Sequence, residues 1–223
     1  MQKFATTAPI TTVLDIPAGR VQLIAADRAD ATVEVRPANA GKGRDVKAAE
    51  RVRVAFADGV LRVESPEAEN KLLGNSGAVE VTVQLPAGSR VEAKTAAAEL
   101  RGVGRLGDVV LETAQGPVKL DEAASAEVRV QDGDITIGRL AGPAVLRTMN
   151  GDLKVAEAVR GDLELRTEKG DIEIGAARGS SATLDAGTDY GRIANSLQNS
   201  KGADAELTIR ATTSYGDITA RSN

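Results

Sequence analysis

Between Leu111 and the C-terminus the chain returns six times to a glycine followed by alternating apolar residues. The phrases are Gly116-Pro-Val, Gly133-Asp-Ile, Gly151-Asp-Leu, Gly170-Asp-Ile, Gly191-Arg-Ile and Gly216-Asp-Ile, spaced 17, 18, 19, 21 and 25 residues apart. Recurrence at this period marks stacked supersecondary units, because one unit of that size cannot bury its own apolar face. Each phrase reads as a strand, a glycine turn and a second strand.

Aligning the six units on their glycines separates inside from outside. Two positions after glycine stand Val118, Ile135, Leu153, Ile172, Ile193 and Ile218. Seven before stand Val109, Ala126, Ala144, Leu163, Leu184 and Ile209, and five before Leu111, Val128, Leu146, Leu165, Ala186 and Ala211. These positions share the parity that a strand places on one face, so they are the expected interior. Three before glycine the residues are Thr113, Val130, Thr148, Thr167, Thr188 and Thr213. That column is expected to bury its methyls and hydrogen-bond along the stack.

Composition fits thin stacked layers. Hydrophobic residues make up 42% of the chain but aromatics only 2%, with no Trp, so the interior must be built from Val, Ile, Leu and Ala. Charged residues of both signs account for 27%, as in an ordered, solvated surface. A net charge of −4 and the scarcity of aromatics argue against nucleic-acid binding. With neither Cys nor His there is no disulfide, no thiol nucleophile, no thiolate or imidazole zinc site and no Ser-His or Cys-His catalysis. No cofactor is expected. The N-terminal residues lack an apolar export core and no later stretch is long enough to span a membrane, so a cytoplasmic location without direct membrane insertion is expected.

Residues 1–89 read as an irregular β-rich part and 90–223 as the regular stack, within one continuous unit. Arg51–Phe56, Asp58-Gly59 and Val60–Val63 give a hairpin signal. Asn39–Arg44 reads as a loop, Lys47–Glu50 as at most a helical turn, and Glu67–Gly77 as a second polar loop. Ile16-Pro-Ala-Gly19 and Leu85-Pro-Ala-Gly88 echo each other, suggesting one strand-turn-strand unit used twice.

The repeated Gly-Asp-Ile/Leu phrases, the opening Ile-Pro-Ala-Gly19 and the closing Thr213-Ser-Tyr-Gly-Asp-Ile218 together resemble the bacterial Toastrack domains, an adhesin-like family of β-strand-repeat proteins. The likeness covers essentially the whole chain. It implies a single-chain stack of β-rungs, solenoid-like or sandwich-like, in a family of largely uncharacterised function whose members often belong to envelope-stress or membrane-linked proteins. The expected fold class is therefore all-β, a β-solenoid-like strand-repeat stack.

Three constellations merit weighing. Asp134, Asp152, Asp171 and Asp217 follow their turn glycines. They could form a calcium ladder, but one carboxylate per turn supplies few oxygens. The simpler reading has each Asp accept a backbone N–H and fix its own turn, with no metal. Arg129, Arg147 and Arg166 fall on the outward parity, where in-register stacking lines them up about 4.8 Å apart. They form either an anion-binding stripe or a solvated face offset by Glu127 and Glu164. Tyr190 and Tyr215 precede their glycines on the last two units, where they can cover the end of the stack or meet a partner. The expected function is a non-enzymatic interaction or scaffold module for a protein or envelope component, with Arg129, Arg147, Arg166, Tyr190 and Tyr215 as binding residues. A carbohydrate-active enzyme on a β-solenoid and a structural protein assembling end to end are the alternatives.

Overall fold

The computed structural model describes residues 1–66 and 77–223; most of the expected loop Glu67–Gly77 lies outside the described residues. In chain order the elements are β1 (Gln2–Ala5), β2 (Thr11–Ala26), β3 (Asp30–Pro37), α1 (Gly43–Arg51), β4 (Arg53–Ala57), β5 (Val60–Glu64), β6 (Val79–Pro86), β7 (Arg90–Gln115) and β8 (Val118–Asp132). There follow β9 (Ile135–Leu140), β10 (Ala144–Arg147), β11 (Leu153–Ala158), β12 (Gly161–Lys169), β13 (Ile172–Ala176), β14 (Ala182–Tyr190), β15 (Ile193–Ser196), β16 (Leu207–Tyr215) and β17 (Ile218–Ser222). The fold is all-β apart from α1 and one short turn of helix. All the strands join in one hydrogen-bonded sheet wound into two facing layers, and most neighbours are parallel.

Each glycine turn carries the chain from the first layer to the second. The first layer takes the strand before glycine: β8 pairs with β10, β10 with β12, and β12 with β16. The second layer takes the strand after it, from β8 through β9, β11 and β13 to β17. The aligned columns meet across the gap as one core, with Ile135, Leu146, Leu153, Leu165 and Ile172 all at most 1% exposed.

The turns are held by the phrase itself. Gly151 has φ of 144°, and a Cβ there would drive into the Gly133 carbonyl of the rung below, so only glycine lets the rungs approach. Thr148, Thr167, Thr213 and Thr188 donate their hydroxyls to the carbonyls of Gly133, Gly151, Gly170 and Gly216 at 3.0–3.1 Å. The threonine column thus hydrogen-bonds along the stack, and its partner is the neighbouring turn. The aspartates do the same on the outside. Asp134 Oδ1 accepts the N–H of Asp152, Asp152 that of Asp171, and Asp171 that of Asp217, at 2.7–2.8 Å. Each therefore fixes the next rung's turn and not its own, a correction that follows from parallel register placing the next amide within its reach.

Rung order departs from chain order at both ends. β16 and β17 insert between β12–β13 and β14–β15, so the rung of Gly191 is outermost and the C-terminal rung lies beneath it. At the other end β2 inserts between β5–β6 and β7. Residues 11–26 are thus themselves a rung turning at Gly19, stacked on one in which Ala98 replaces the glycine. The Pro-Ala-Gly echo resolves into two different turns: Pro17–Gly19 passes from the first layer to the second, and Pro86–Gly88 returns. Asn39–Lys42 remains a loop as expected, while the helical turn at Lys47–Glu50 extends into the nine-residue helix α1, which takes the last two residues of that loop. Its Ala, Lys, Glu and Arg favour helix, Ala48 and Ala49 pack on the core, and buried Asp45 accepts the Ala78 N–H.

The two ends differ. Beyond β5 and β6 the chain reverses direction: β4 runs antiparallel to β5, β3 to β6 and β1 to β3. Phe4 and Phe56 meet there with ring centroids 5.4 Å apart. At the far end no such reversal covers β14 and β15 among the described residues.

Candidate functional site: the open end and its flank

The outermost rung shows what an uncovered β-stack exposes. Ile193 occupies the column position that is 0–1% exposed at Ile135, Leu153, Ile172 and Ile218, yet it is 46% exposed. Leu184 and Ala186 are only partly buried, and every residue of β15 is exposed. Ala182 donates its N–H outward, to the Gln198 carbonyl of the segment leading from β15 back to β16. That segment covers one corner and leaves the rest of β14 open.

Tyr190 and Tyr215 sit at this end in register with each other and with Lys169. Their rings are stacked, with centroids 4.9 Å apart and planes within 5°, and they are 67% and 54% exposed. The outer face of Tyr190 has no further rung upon it. Beside the pair, Arg192 stands where other rungs place aspartate. It donates to Asp217 through its backbone N–H (2.9 Å) and its guanidinium (2.8 Å), ending the aspartate ladder with a cation. That guanidinium, through its hydrogen bond, holds the Asp217 carboxyl below its usual range.

The arginines form the expected file. Arg129 pairs in register with Arg147, and Arg147 with Arg166, all on the exposed face of the first layer. Arg129 is bound to Glu127 and Arg147 to Glu164, each at 2.7 Å, so two of the three charges are offset on the same face. Arg166 makes no ion pair among the described residues. In its row it is followed by Thr212, a small side chain, and then Gly187, which has none. Arg166 lies one to two strands across the sheet from the tyrosine pair and three residues from it along the strands, about 10 Å in that direction. Arg129 and Arg147 lie further down the stack, away from the tyrosines.

None of the six phrases singles out Arg192, Leu184 or Ala186 as end residues. The lengthening of the last spacings to 21 and 25 residues was the available sign that the final rungs are not stacked in chain order.

A family model, Toastrack DUF4097, matches residues 13–223. The chain belongs to this Toastrack family. Among solved structures, the Toastrack chain is similar to a candidate adhesin from Bacteroides fragilis, at 13% identity and a TM-score of 0.61, covering 98% of this chain and 95% of that one. It is also similar to a candidate adhesin from Parabacteroides distasonis, again at 13% identity, with a TM-score of 0.50 and coverage of 98% and 95%. At these identities the likeness is one of fold. A search of the curated proteins finds no match to this Toastrack chain.

Proposed function

We propose that this Toastrack domain is a non-enzymatic interaction module that meets a protein or envelope component through the patch of Arg166, Tyr190 and Tyr215. The observation that carries the reading is the exposed tyrosine stack. The chain has two Phe and two Tyr. The phenylalanines pack at the closed end, whereas both tyrosines stand more than half exposed at the open one. Rigid aromatic area beside an arginine is the composition that dominates binding energy at protein interfaces. The candidate adhesins that share the fold give the reading its context.

Affinity capture from solubilised envelope and from soluble lysate tests it, comparing wild type with Tyr190→Ala/Tyr215→Ala and with Arg129→Ala/Arg147→Ala/Arg166→Ala. A specific partner held by the wild type should be lost with the tyrosine pair and weakened with the arginines. Equal recovery by all three proteins refutes the patch.

A further inference from the structure

The open rung presents a strand edge as well as a face, and we infer that this edge pairs with the same edge of a second copy, forming a two-fold dimer across β14. Three observations fix the partner and the register. The first is hydrogen-bonding direction. Since Ala182 turns its N–H away from β16, strand alternation turns the N–H and C=O groups of Leu184, Ala186 and Thr188 the same way. Among the described residues no strand receives them.

The second is charge and size along β14. Leu184, Ala186 and Thr188 have the inward parity, while Asp185, Gly187 and Asp189 face outward. An antiparallel copy centred on Ala186 sets Ala186 opposite its equivalent, Leu184 opposite Thr188, and Asp185 opposite Gly187. The inward side chains stay inward, and each Asp185 meets a residue without a side chain. Centring on Asp185 or on Gly187 places carboxylates directly opposite one another, which is destabilising. Pairing over 184–188 also stops short of Ala182, whose N–H is already taken.

The third is the shape of the opposite end. In the first layer β4 is outermost, but in the second both β3 and β1 lie beyond β6. That end is stepped by one strand, so a flat end brought head to tail collides with β1 before its first-layer edge can pair. The β14–β15 end, level except at the corner held by Gln198 on Ala182, fits its own copy over 184–188, and a closed two-fold pair results in place of a filament.

Gly187 provides the test, because a Cβ there meets nothing within 4 Å and its backbone is not in the left-handed region. A side chain at this position leaves the monomer intact while standing opposite Asp185 of the other copy. Sedimentation equilibrium of the full chain should show a concentration-dependent dimer. Gly187→Lys should tighten it several-fold and Gly187→Asp loosen it by a similar factor, since two symmetric cross-strand charge pairs change sign, each worth roughly 0.2–1 kcal/mol. Melting points measured in dilute solution should match the wild type. A second variant checks the register independently. The chain has no cysteine, and Ala186→Cys brings two thiols together on directly opposed residues about 5.5 Å apart, within disulfide reach. Mild oxidation should then trap a covalent dimer. A chain that stays monomeric at every concentration, charge variants that shift the equilibrium in the same direction, or a dimer that resists cysteine closure would each overturn the inference. The triple arginine variant changes no residue of the paired strand, so it should dimerise like wild type whatever it captures.

Discussion

The two ends of this stack manage the same physical problem in opposite ways. A parallel β-stack leaves at each end a row of unpaired amides and half a core. At the β1–β4 end the chain turns back on itself, lays antiparallel strands over both layers and fills the opening with Phe4 and Phe56. At the β14–β15 end the parallel repeat simply stops, with Ile193 half in water and the aromatics outside. Closure therefore needs both a change of strand direction and side chains larger than the Val, Ile, Leu and Ala of the rungs. Where either is missing, the core column itself becomes surface.

The largest expected effect contrasts the middle of the stack with its open end. Ile172→Asp should cost at least about 4 kcal/mol, because it buries a carboxylate with no partner in the column. The same change at Ile193 should cost under about 1 kcal/mol, since water reaches that position. Chemical denaturation of both variants under conditions where the chain is monomeric decides the point; equal losses would mean that the end is covered.

Next in size is the aromatic pair at each end. Phe56→Ala should lower stability by about 2 kcal/mol, less than the loss for a fully buried phenylalanine because the ring is only partly enclosed. Tyr190→Ala gives up a stacking contact worth about 1 kcal/mol or less. If Tyr190→Ala proves the more damaging in thermal melts, the tyrosines are core and not surface.

The smallest effect is the acid sensitivity of the closed end. Asp30, hydrogen-bonded by Arg28 and Lys3, has its carboxyl held down from 3.8 to about 2. A carboxyl with a depressed folded-state pKa stabilises above its unfolded value, and that contribution is lost as pH falls through the folded one. Wild-type stability should thus decline between about pH 4 and 2 more steeply than that of Asp30→Asn, as measured by urea midpoints across the window. Parallel declines would show that the Lys3–Asp30–Arg28 cluster does not fasten β1 to β3.

Much of the middle was legible in the residues. The glycine period, the two apolar parities and the threonine column follow from local chemistry repeated in register, and the structure uses each as the pattern implies. The hairpin at Asp58-Gly59 was legible for the same reason: a positive φ is needed at both residues, and both have it. Rung order was not. Ile218 and Ile193, or Ala211 and Ala186, occupy identical column positions, so no side-chain pattern states which rung lies on which. The rung at Ala98 was hidden because alanine interrupts the glycine phrase. Helix α1 was legible only as a turn, because nine residues are too few to hold a helix alone and it forms where β3 and β6 supply a surface. The direction of the aspartate bonds depends on register between rungs, which no single turn reveals.

The insertion of β16 and β17 beneath the outermost rung also bears on the order in which this molecule can be made. Among the described residues the strands of the Gly191 rung pair with the rest of the stack only through those two. A ribosome delivers residues 182–196 first, when the strands that must hold them do not yet exist. Nascent β14 and β15 then have either no neighbour or the exposed edges of β12 and β13, whose columns they match. β16 and β17, made later, must then enter between strands that already exist. Growth from one rung to the next can proceed during synthesis as far as Gly170, and beyond it the stack closes only once residues 207–222 have been made.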